Sequence, residues 1–489
     1  MRLLLPIAFI ILLRSPGIRG SAHGVEFQSG KVPSVSSNDS TEHWQVSTIE
    51  RGGGSRGGLQ ALSKTARNSN PSWKMTDTRR RHLTVLLVGS ALMNDSLQVS
   101  MLLPMIHSLV TSPPPLGVPD SSAEIAMGIF FAAKDMLQLT TAPLAGVLVS
   151  RTSSHRALFL STAALGAATL LFSQATTFAQ LLVARAAQGA ASAAVLTGGL
   201  TLIAETHPAA VRGTAMGWAY AGLALGRVVG PLLGGALFAA WGRQTTFRLA
   251  ASVVLLNAVL QFFFLEGGET KTLQQSTAPS RSDRLTNKAP KSSEWAAMRR
   301  LLQNPDIVVV ATSILVIHAV LGVMKPLSQV VLAREFGVEV VGRSLVISIA
   351  TVTYMLSTPL SGRLSDVRFS RSSMVVAGLA LMSVSAVFFG LRSVWGMPAL
   401  YASVALLGTA LGVSSSASQA LLADLVDRQK DGSGDYSMAF ALSDMADSIG
   451  MILGPVAGLA ISQSFGPTCG VASIAAGCVV LLPLVAGIK

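Results

Sequence analysis

The stretch GRVVGPLLG at positions 226–234 recurs, with its glycines and its proline in register, as GMILGPVAG at positions 450–458. A second stretch, PLAGVL at 143–148, recurs as PLSGRL at 359–364. The two offsets, 224 and 216 residues, are almost equal, which indicates that one half-chain unit is used twice. Parallel repeats of a six-helix half are the architecture of a large class of transporters, whose substrate site lies between the halves near the bilayer midplane.

Composition indicates a membrane protein that crosses the bilayer many times. Charged residues are 12% of the chain, about half of the ~25% usual in soluble domains, and the mean hydropathy is +0.54. One span needs about 20 mostly apolar residues. We therefore predict an all-α membrane protein with twelve transmembrane helices in two six-helix pseudo-repeats. The predicted spans are 83–106, 123–149, 157–175, 178–204, 213–240, 246–265, 307–332, 341–361, 373–391, 397–424, 436–462 and 467–487.

The net charge of +13 is distributed in a way that argues against nucleic acid as a partner. Lys and Arg concentrate in alternate loops, so they share one side of the membrane. By the positive-inside rule that side is the cytoplasm, and both termini lie there. The expected partners are the lipid bilayer, a small organic solute and protons, with the chain acting as a monomer. The identity of the membrane stays open.

The sequence outside the spans divides the chain into segments. An apolar run after Arg2 resembles a signal or targeting segment. Apolar residues at helical spacing near the end of the central linker predict a short interfacial helix over 295–302. The predicted segments are a targeting segment 1–22, a disordered region 23–81, a first six-helix half 82–266, a cytoplasmic linker 267–305 and a second half 306–489.

Charged residues inside spans are costly and usually functional. The four acids are Asp95, Asp135, Asp444 and Asp447, and the four bases are Lys134, Arg185, Arg227 and Lys325. Asp95 lies twelve residues into the first span, about 18 Å along a helix and close to the midplane. It has no cation near it in sequence, which favours a role in exchanging a proton for a solute. For Lys134 and Asp444 the alternative is a purely structural ion pair between the halves.

The repeated glycines favour close packing of helices over ligand binding. This helix-packing motif comprises Gly226, Gly230, Pro231, Gly234 and Gly235 in the first half, and Gly450, Gly454, Pro455 and Gly458 in the second.

Three stretches carry a family resemblance. LLVARAAQG at 181–189 and the GxxxGPxxGG pattern at 226–235 resemble motifs of the major facilitator superfamily, in its drug:proton antiporter branch. GRLSD at 362–366 resembles the cytoplasmic loop motif of the superfamily, although Ser150 stands where the first half would repeat Asp366. The resemblance implies a cytoplasmic gate that includes Gly362, Arg363, Asp366 and Arg371.

Within the superfamily, residues 82–489 most resemble vesicular amine transporters. That resemblance implies that Asp95 binds amine and that Lys134 pairs with Asp444 across the halves. We predict that Asp95, Lys325 and Asp444 serve substrate binding and proton coupling, with Lys325 setting the sign of the substrate. The sequence departs from this pattern where Lys325 replaces a glutamate and Ser415 replaces an aspartate. Because the acids and bases inside the spans balance, a zwitterion or an organic anion is also a plausible substrate.

These observations favour a secondary transporter that exchanges a small organic solute for protons by alternating access. The alternatives are a facilitator or symporter of an organic anion or zwitterion, and a non-transporting membrane scaffold or sensor. The chain lacks a phosphate-binding loop and a His-Glu-x-x-His motif, so we expect no enzymatic activity, no metal and no cofactor.

Overall fold

The computed structural model describes residues 77–102, 123–265, 294–429 and 436–488, and these residues are almost entirely helical. The first four helices are α1 (Asp77–Leu102), α2 (Ala123–Arg151), α3 (Ser154–Gln174) and α4 (Phe178–Thr206). A continuous helical run of 57 residues, Ala209–Leu265, follows. Gly242 breaks the helical geometry inside it with φ 68° and ψ −178°, a conformation that glycine adopts without steric cost. The run is therefore two helices, α5 (209–241) and α6 (243–265).

The second half begins with a short helix and continues with six long ones. These are α7 (Glu294–Gln303), α8 (Pro305–Arg334), α9 (Val340–Val367), α10 (Arg371–Trp395), α11 (Met397–Asp427), α12 (Tyr436–Phe465) and α13 (Pro467–Ala486). Among the described residues, ten helices are long and apolar enough to cross a membrane, with Ala209–Leu265 counted as one. Helix α2 is not among the ten, although its 29 residues suffice in length, and it carries Lys134 and Asp135 in its middle. Each predicted span thus coincides with a helix, which confirms the all-α prediction.

The segments outside the spans are described in part. Helix α1 begins at Asp77, so the last five residues of the region predicted to be disordered are helical. The predicted interfacial helix is present as α7, with Met298 and Leu301 buried and Trp295 and Leu302 exposed. The targeting segment 1–22, residues 23–76 and the linker residues 266–293 lie outside the described part of the chain.

The repeated GxxxGP motif has the same packing role in both halves. A β-carbon at Gly230 on α5 would lie 2.6 Å from Ser100 Cβ on α1, and one at Gly454 on α12 would overlap the Ala319 carbonyl oxygen on α8. The other glycines of the motif that meet these same two helices are Gly226, Gly234, Gly450 and Gly458. The missing side chains let α5 lie directly on α1, and α12 directly on α8.

The second repeat, PLxGxL, joins the halves. A β-carbon at Gly146 on α2 would lie 2.6 Å from Met438 Sδ on α12, and one at Gly217 on α5 would lie 2.7 Å from the Thr358 carbonyl oxygen on α9. Gly362, the counterpart of Gly146, meets the backbone of α5 at Gly213. We call the side of the bundle where α6 ends and α8 begins the linker face. These glycine contacts of α2 with α12 and of α5 with α9 lie at this face.

Candidate transport site between the halves

The carboxylate of Asp95 on α1 meets side chains from two other helices. Lys134 Nζ on α2 lies 3.6 Å from Asp95 Oδ1. The Ser192 hydroxyl on α4 donates a hydrogen bond to the same oxygen. No cation lies near Asp95 in sequence, and the cation that approaches it in space comes from a different helix.

Lys134 reaches the other half of the molecule through a glutamine. Its Nζ donates to Gln138 Oε1 at 3.1 Å, and Gln138 Nε2 donates to Asp444 Oδ1 on α12 at 2.8 Å. The direct contact of Lys134 with Asp444 that we predicted is replaced by this bridge, since Gln138 lies one helical turn along α2 and occupies the space between them. Asp95, Lys134, Gln138 and Asp444 form a chain of contacts that we call the relay.

Asp444 ends the relay in an unusual state. Its side chain is completely buried, with 0% relative exposure, and its Oδ2 has no hydrogen-bond partner among the described residues. A buried carboxylate oxygen without a partner is costly. A proton or a cationic ligand at Oδ2 would relieve that cost.

Asp444 lines a small cavity between the halves, which we call the acidic cavity. Asp447, one turn further along α12, and His318 on α8 also line it, together with Ser415 and Ser443. His318 Nε2 lies 3.3 Å from Asp447 Oδ1. The cavity measures about 20 Å³, which is room for one water molecule. A solute therefore requires the halves to separate.

A second cavity, the basic cavity, lies beside the first. Arg227 on α5 and Lys325 on α8 line it, with Tyr354, Thr351 and Ser328. The guanidinium carbon of Arg227 lies 5.8 Å from the centre of the Tyr354 ring. This cavity measures about 60 Å³. Acids and bases are thus separated into neighbouring compartments.

Besides the relay residues Asp95 and Lys134, two of the predicted intramembrane charges lie outside both cavity linings. Arg185 is buried on α4, where its guanidinium carbon lies 5.4 Å from the Phe130 ring centre and NH1 donates to Gln188 Oε1 at 3.1 Å. Asp135 is half-buried beside Lys134, within electrostatic range of Arg185 and Lys325. Asp95 also does not line either cavity.

Sequence analysis missed several residues of the site. Gln138, Ser192, His318 and Tyr354 are polar residues in apolar spans. Gln138 follows Lys134 by four positions, Ser192 follows Arg185 by seven and His318 precedes Lys325 by seven. A search for polar residues on the charged face of each helix would therefore have found these three.

Three of the four predicted gate residues meet at the linker face. Asp366 on α9 accepts hydrogen bonds from the backbone nitrogens of Gly213 at 3.0 Å and Thr214 at 2.7 Å, both on α5. Arg371 NH2 lies 3.2 Å from Asp366 Oδ1. Gly362 allows the approach of the two helices. Its neighbour Arg363 is exposed and does not join this cluster.

A base that the motif search did not assign to the gate completes it. Arg212 at the start of α5 places NH1 3.2 Å from Asp424 Oδ1 and 2.8 Å from Asp427 Oδ2, both on α11. Asp424 also pairs with Arg371. The first half thus contributes Arg212 and two backbone donors, and the second half contributes the carboxylates. These contacts hold the halves together at the linker face.

The described residues contain no group of three His, Cys, Asp or Glu side chains that is arranged to hold a metal ion.

Comparison with known proteins agrees with this architecture. The family model of the Major Facilitator Superfamily matches residues 84–331 and 310–488. The synaptic vesicular amine transporter of Bos taurus is 27% identical over 344 residues, which cover 70% of this chain and 62% of that protein. The vesicular acetylcholine transporter of Homo sapiens is 27% identical over 349 residues, covering 71% of this chain and 62% of that protein. The chain thus spans less than two thirds of the length of these relatives.

A solved structure supports the same fold. The proton:xylose symporter XylE superimposes with a TM-score of 0.66 at 15% identity, over 84% of this chain and 96% of that one. The family model alone covers most of the described residues in both halves. The chain therefore belongs to the major facilitator superfamily.

Proposed function

We propose that this protein is a proton-coupled antiporter of a small organic solute that works by alternating access. The observation that carries the proposal is the unpartnered, fully buried Oδ2 of Asp444, at the point where the relay meets the acidic cavity. The relatives named as vesicular amine and acetylcholine transporters support a solute with a cationic group. Because one chain supplies both sides of the site, the monomer is the functional unit.

Coupling follows from the single vacancy at Asp444. Removing an ionised carboxylate from water costs several kcal/mol unless a counter-charge or a proton compensates. A proton on Oδ2 and a cationic group of the solute both compensate, but they compete for one oxygen. Solute arriving from one side therefore displaces the proton, and a proton arriving from the other side displaces the solute.

The relay connects this exchange to the arrangement of the halves. The hydrogen bond from Gln138 to Asp444 Oδ1 joins α2 of the first half to α12 of the second. Occupancy of Oδ2 changes the charge that Gln138 and Lys134 experience, so it biases the equilibrium between the two orientations of the halves. Asp95 provides the second carboxylate that keeps Lys134 in place when Asp444 is neutral.

The orientation in the membrane rests on the distribution of Lys and Arg. The positive-inside rule assigns the linker face, and with it the loops after α2, α4 and α9, to the cytoplasm. A cysteine at Phe369, which is exposed between α9 and α10, tests this assignment. Labelling of that cysteine by an impermeant reagent from outside sealed cells would reverse it.

The coupling test uses the purified chain in sealed vesicles with three labelled probes, 6-aminohexanoate, 6-aminohexanol and 6-hydroxyhexanoate. Leakage is subtracted with protein-free vesicles. An imposed pH gradient should accelerate uptake by the wild-type protein. In Asp444→Asn the response to the gradient should vanish, and exchange of solutes with a cationic group should weaken, because the same oxygen binds the proton and the cation. The matched control is Asp306→Asn, an acid near the linker-face end of α8, which should behave as wild type.

Retention of gradient-driven uptake by Asp444→Asn, with the same dependence on pH as the control, would contradict the coupling role.

The second candidate function, a facilitator or symporter of an organic anion, is favoured by Arg227 and Lys325 in the basic cavity. It predicts uptake of 6-hydroxyhexanoate that is not driven by proton efflux. A non-transporting scaffold or sensor predicts no uptake of any probe.

A further inference from the structure

We infer that the solute is a zwitterion that occupies both cavities at once, with its cationic end in the acidic cavity and its anionic end in the basic cavity. The inference rests on the proposed function and assigns its substrate class. It starts from the separation of charge between the two compartments, Asp444 and Asp447 in one, Arg227 and Lys325 in the other.

The two cavities are neighbours that share helices. On α8, His318 lines the acidic cavity and Lys325 lines the basic one, and seven residues of helix separate them by about 10 Å. On α11, Ser415 lines the acidic cavity and Leu411 the basic one, about 6 Å apart. Tyr354, which lines the basic cavity, lies beside Ser415. The two linings therefore adjoin at Tyr354 and Ser415.

The acidic cavity has an open position for a cation. No described residue donates a hydrogen bond to the buried Asp444 Oδ2. Within the described part of the chain, the ion-pair partner of Asp447 is His318, whose ring carries a charge only when it is protonated. A primary ammonium has three donors and no acceptor, so it can satisfy Asp444 Oδ2 and nearby serine hydroxyls together.

The basic cavity has the complementary vacancy. Arg227 and Lys325 are both half-buried, and in the described part of the chain neither has a carboxylate within ion-pair distance. Asp135 and Asp447 are near enough to Lys325 to interact with it only at longer range. Two like charges that face one cavity repel each other. A carboxylate between them, with the Tyr354 hydroxyl nearby, would remove that repulsion.

Only a zwitterion satisfies both vacancies without adding net charge to the site. A monoamine leaves Arg227 and Lys325 uncompensated, and a monoanion leaves Asp444 uncompensated. The two helical turns between His318 and Lys325 favour charges separated by a chain of several methylene groups over charges on adjacent carbons. This is why 6-aminohexanoate is the positive probe, while 6-aminohexanol and 6-hydroxyhexanoate each lack one of its charges.

The experiment measures exchange of each labelled probe by the full chain in vesicles without a pH gradient. Wild-type protein should exchange 6-aminohexanoate at least about tenfold faster than either singly charged probe, which corresponds to about 1.4 kcal/mol. Lys325→Glu should lose exchange of 6-aminohexanoate and gain exchange of 6-aminohexanol. The matched control, Arg334→Glu, reverses an exposed base on the same helix and should keep the wild-type order.

Each contrary result identifies what has failed. Equal exchange of 6-aminohexanol and 6-aminohexanoate by wild type, or an unchanged order in Lys325→Glu, overturns the inference while gradient-driven uptake still supports the antiporter. A preference for 6-hydroxyhexanoate overturns it in favour of an anion. No exchange of any probe and no gradient-driven uptake contradicts the antiporter itself and the inference with it. If Lys325→Glu does not elute as a folded monomer, Lys325→Met takes its place in the test, and it should lose exchange of 6-aminohexanoate.

Discussion

Arg212 is the base whose removal should most directly unlock the linker face. Its side chain is 5% exposed, and one nitrogen reaches both Asp424 and Asp427 on α11. Its guanidinium carbon lies 5.4 Å from the centre of the Tyr436 ring on α12. In Arg212→Met the apolar stem is largely kept, so that the change removes the charge and its hydrogen bonds across the halves with little loss of packing.

The magnitude follows from the exposure of the partners. A hydrogen bond to a charged group contributes about 1.5–3 kcal/mol when it is buried. The Asp427 side chain is 39% exposed and the Asp424 side chain 21%, and exposed pairs contribute only about 0.2–1 kcal/mol. Asp424 also keeps its contact with Arg371. We therefore expect each bond to contribute about 1 kcal/mol, and their loss to shift the equilibrium between closed and open linker faces by about 2 kcal/mol, roughly thirtyfold.

Distances between spin labels at Thr152 and Phe369 report this equilibrium. Both positions are exposed at the linker face, one in each half. The native cysteines Cys469 and Cys478 are first replaced. Arg212→Met should move most of the distance distribution to longer values. Arg363→Met, which removes an exposed base on the same face, is the control. If the Arg212→Met distribution matches that of Arg363→Met, these contacts do not hold the gate.

Two further predictions concern packing and the relay. Gly454→Val should abolish recovery of folded protein, because its β-carbon would overlap a backbone carbonyl of α8, whereas Gly487→Ala meets only ordinary contacts and should be recovered normally, as size-exclusion chromatography would show. Lys134→Met leaves the Asp95 carboxylate without its cation and should lower stability by about 3 kcal/mol. Asp95→Asn introduced into Lys134→Met should restore part of that loss, and a double mutant that melts lower than Lys134→Met would refute the pairing.

Much of the fold was predictable because it depends on patterns within short stretches of sequence. Apolar runs of span length locate the helices, and the two repeats predict which glycines lie at helix contacts. Gly230 and Gly454 occupy equivalent positions in the two copies of the repeat, and they allow equivalent packing of α5 on α1 and of α12 on α8. The break at Gly242 is also local, since it needs only a residue that tolerates a positive φ.

The charged members of the candidate site were predicted, whereas its neutral members and its pairings were not. Their positions within the predicted spans are enough to place Asp95, Lys134 and Asp444 inside the membrane. Which of them touch depends on how α1, α2 and α12 are rotated about their axes, and the apolar residues around each charge do not record that rotation. Gln138 illustrates the limit, because its spacing from Lys134 marks the helix face that it shares with that lysine but gives no sign that it connects Lys134 to Asp444 on α12.

The two glycine contacts between the halves differ in a way that suggests how the site controls the gate. The α5–α9 contact has charged groups around it, because Asp366 on α9 accepts from the α5 backbone and Arg212 on α5 pairs with Asp424 and Asp427 on α11. At the α2–α12 contact, Ser150 on α2 replaces the matching acid and donates to its own helix at Val147. The hydrogen bond from Gln138 to Asp444 also joins α2 to α12. We therefore expect a change of charge at Asp444 to act on the contact without ion pairs, and the contacts of Arg212 and Asp366 to set how large that change must be before the linker face opens.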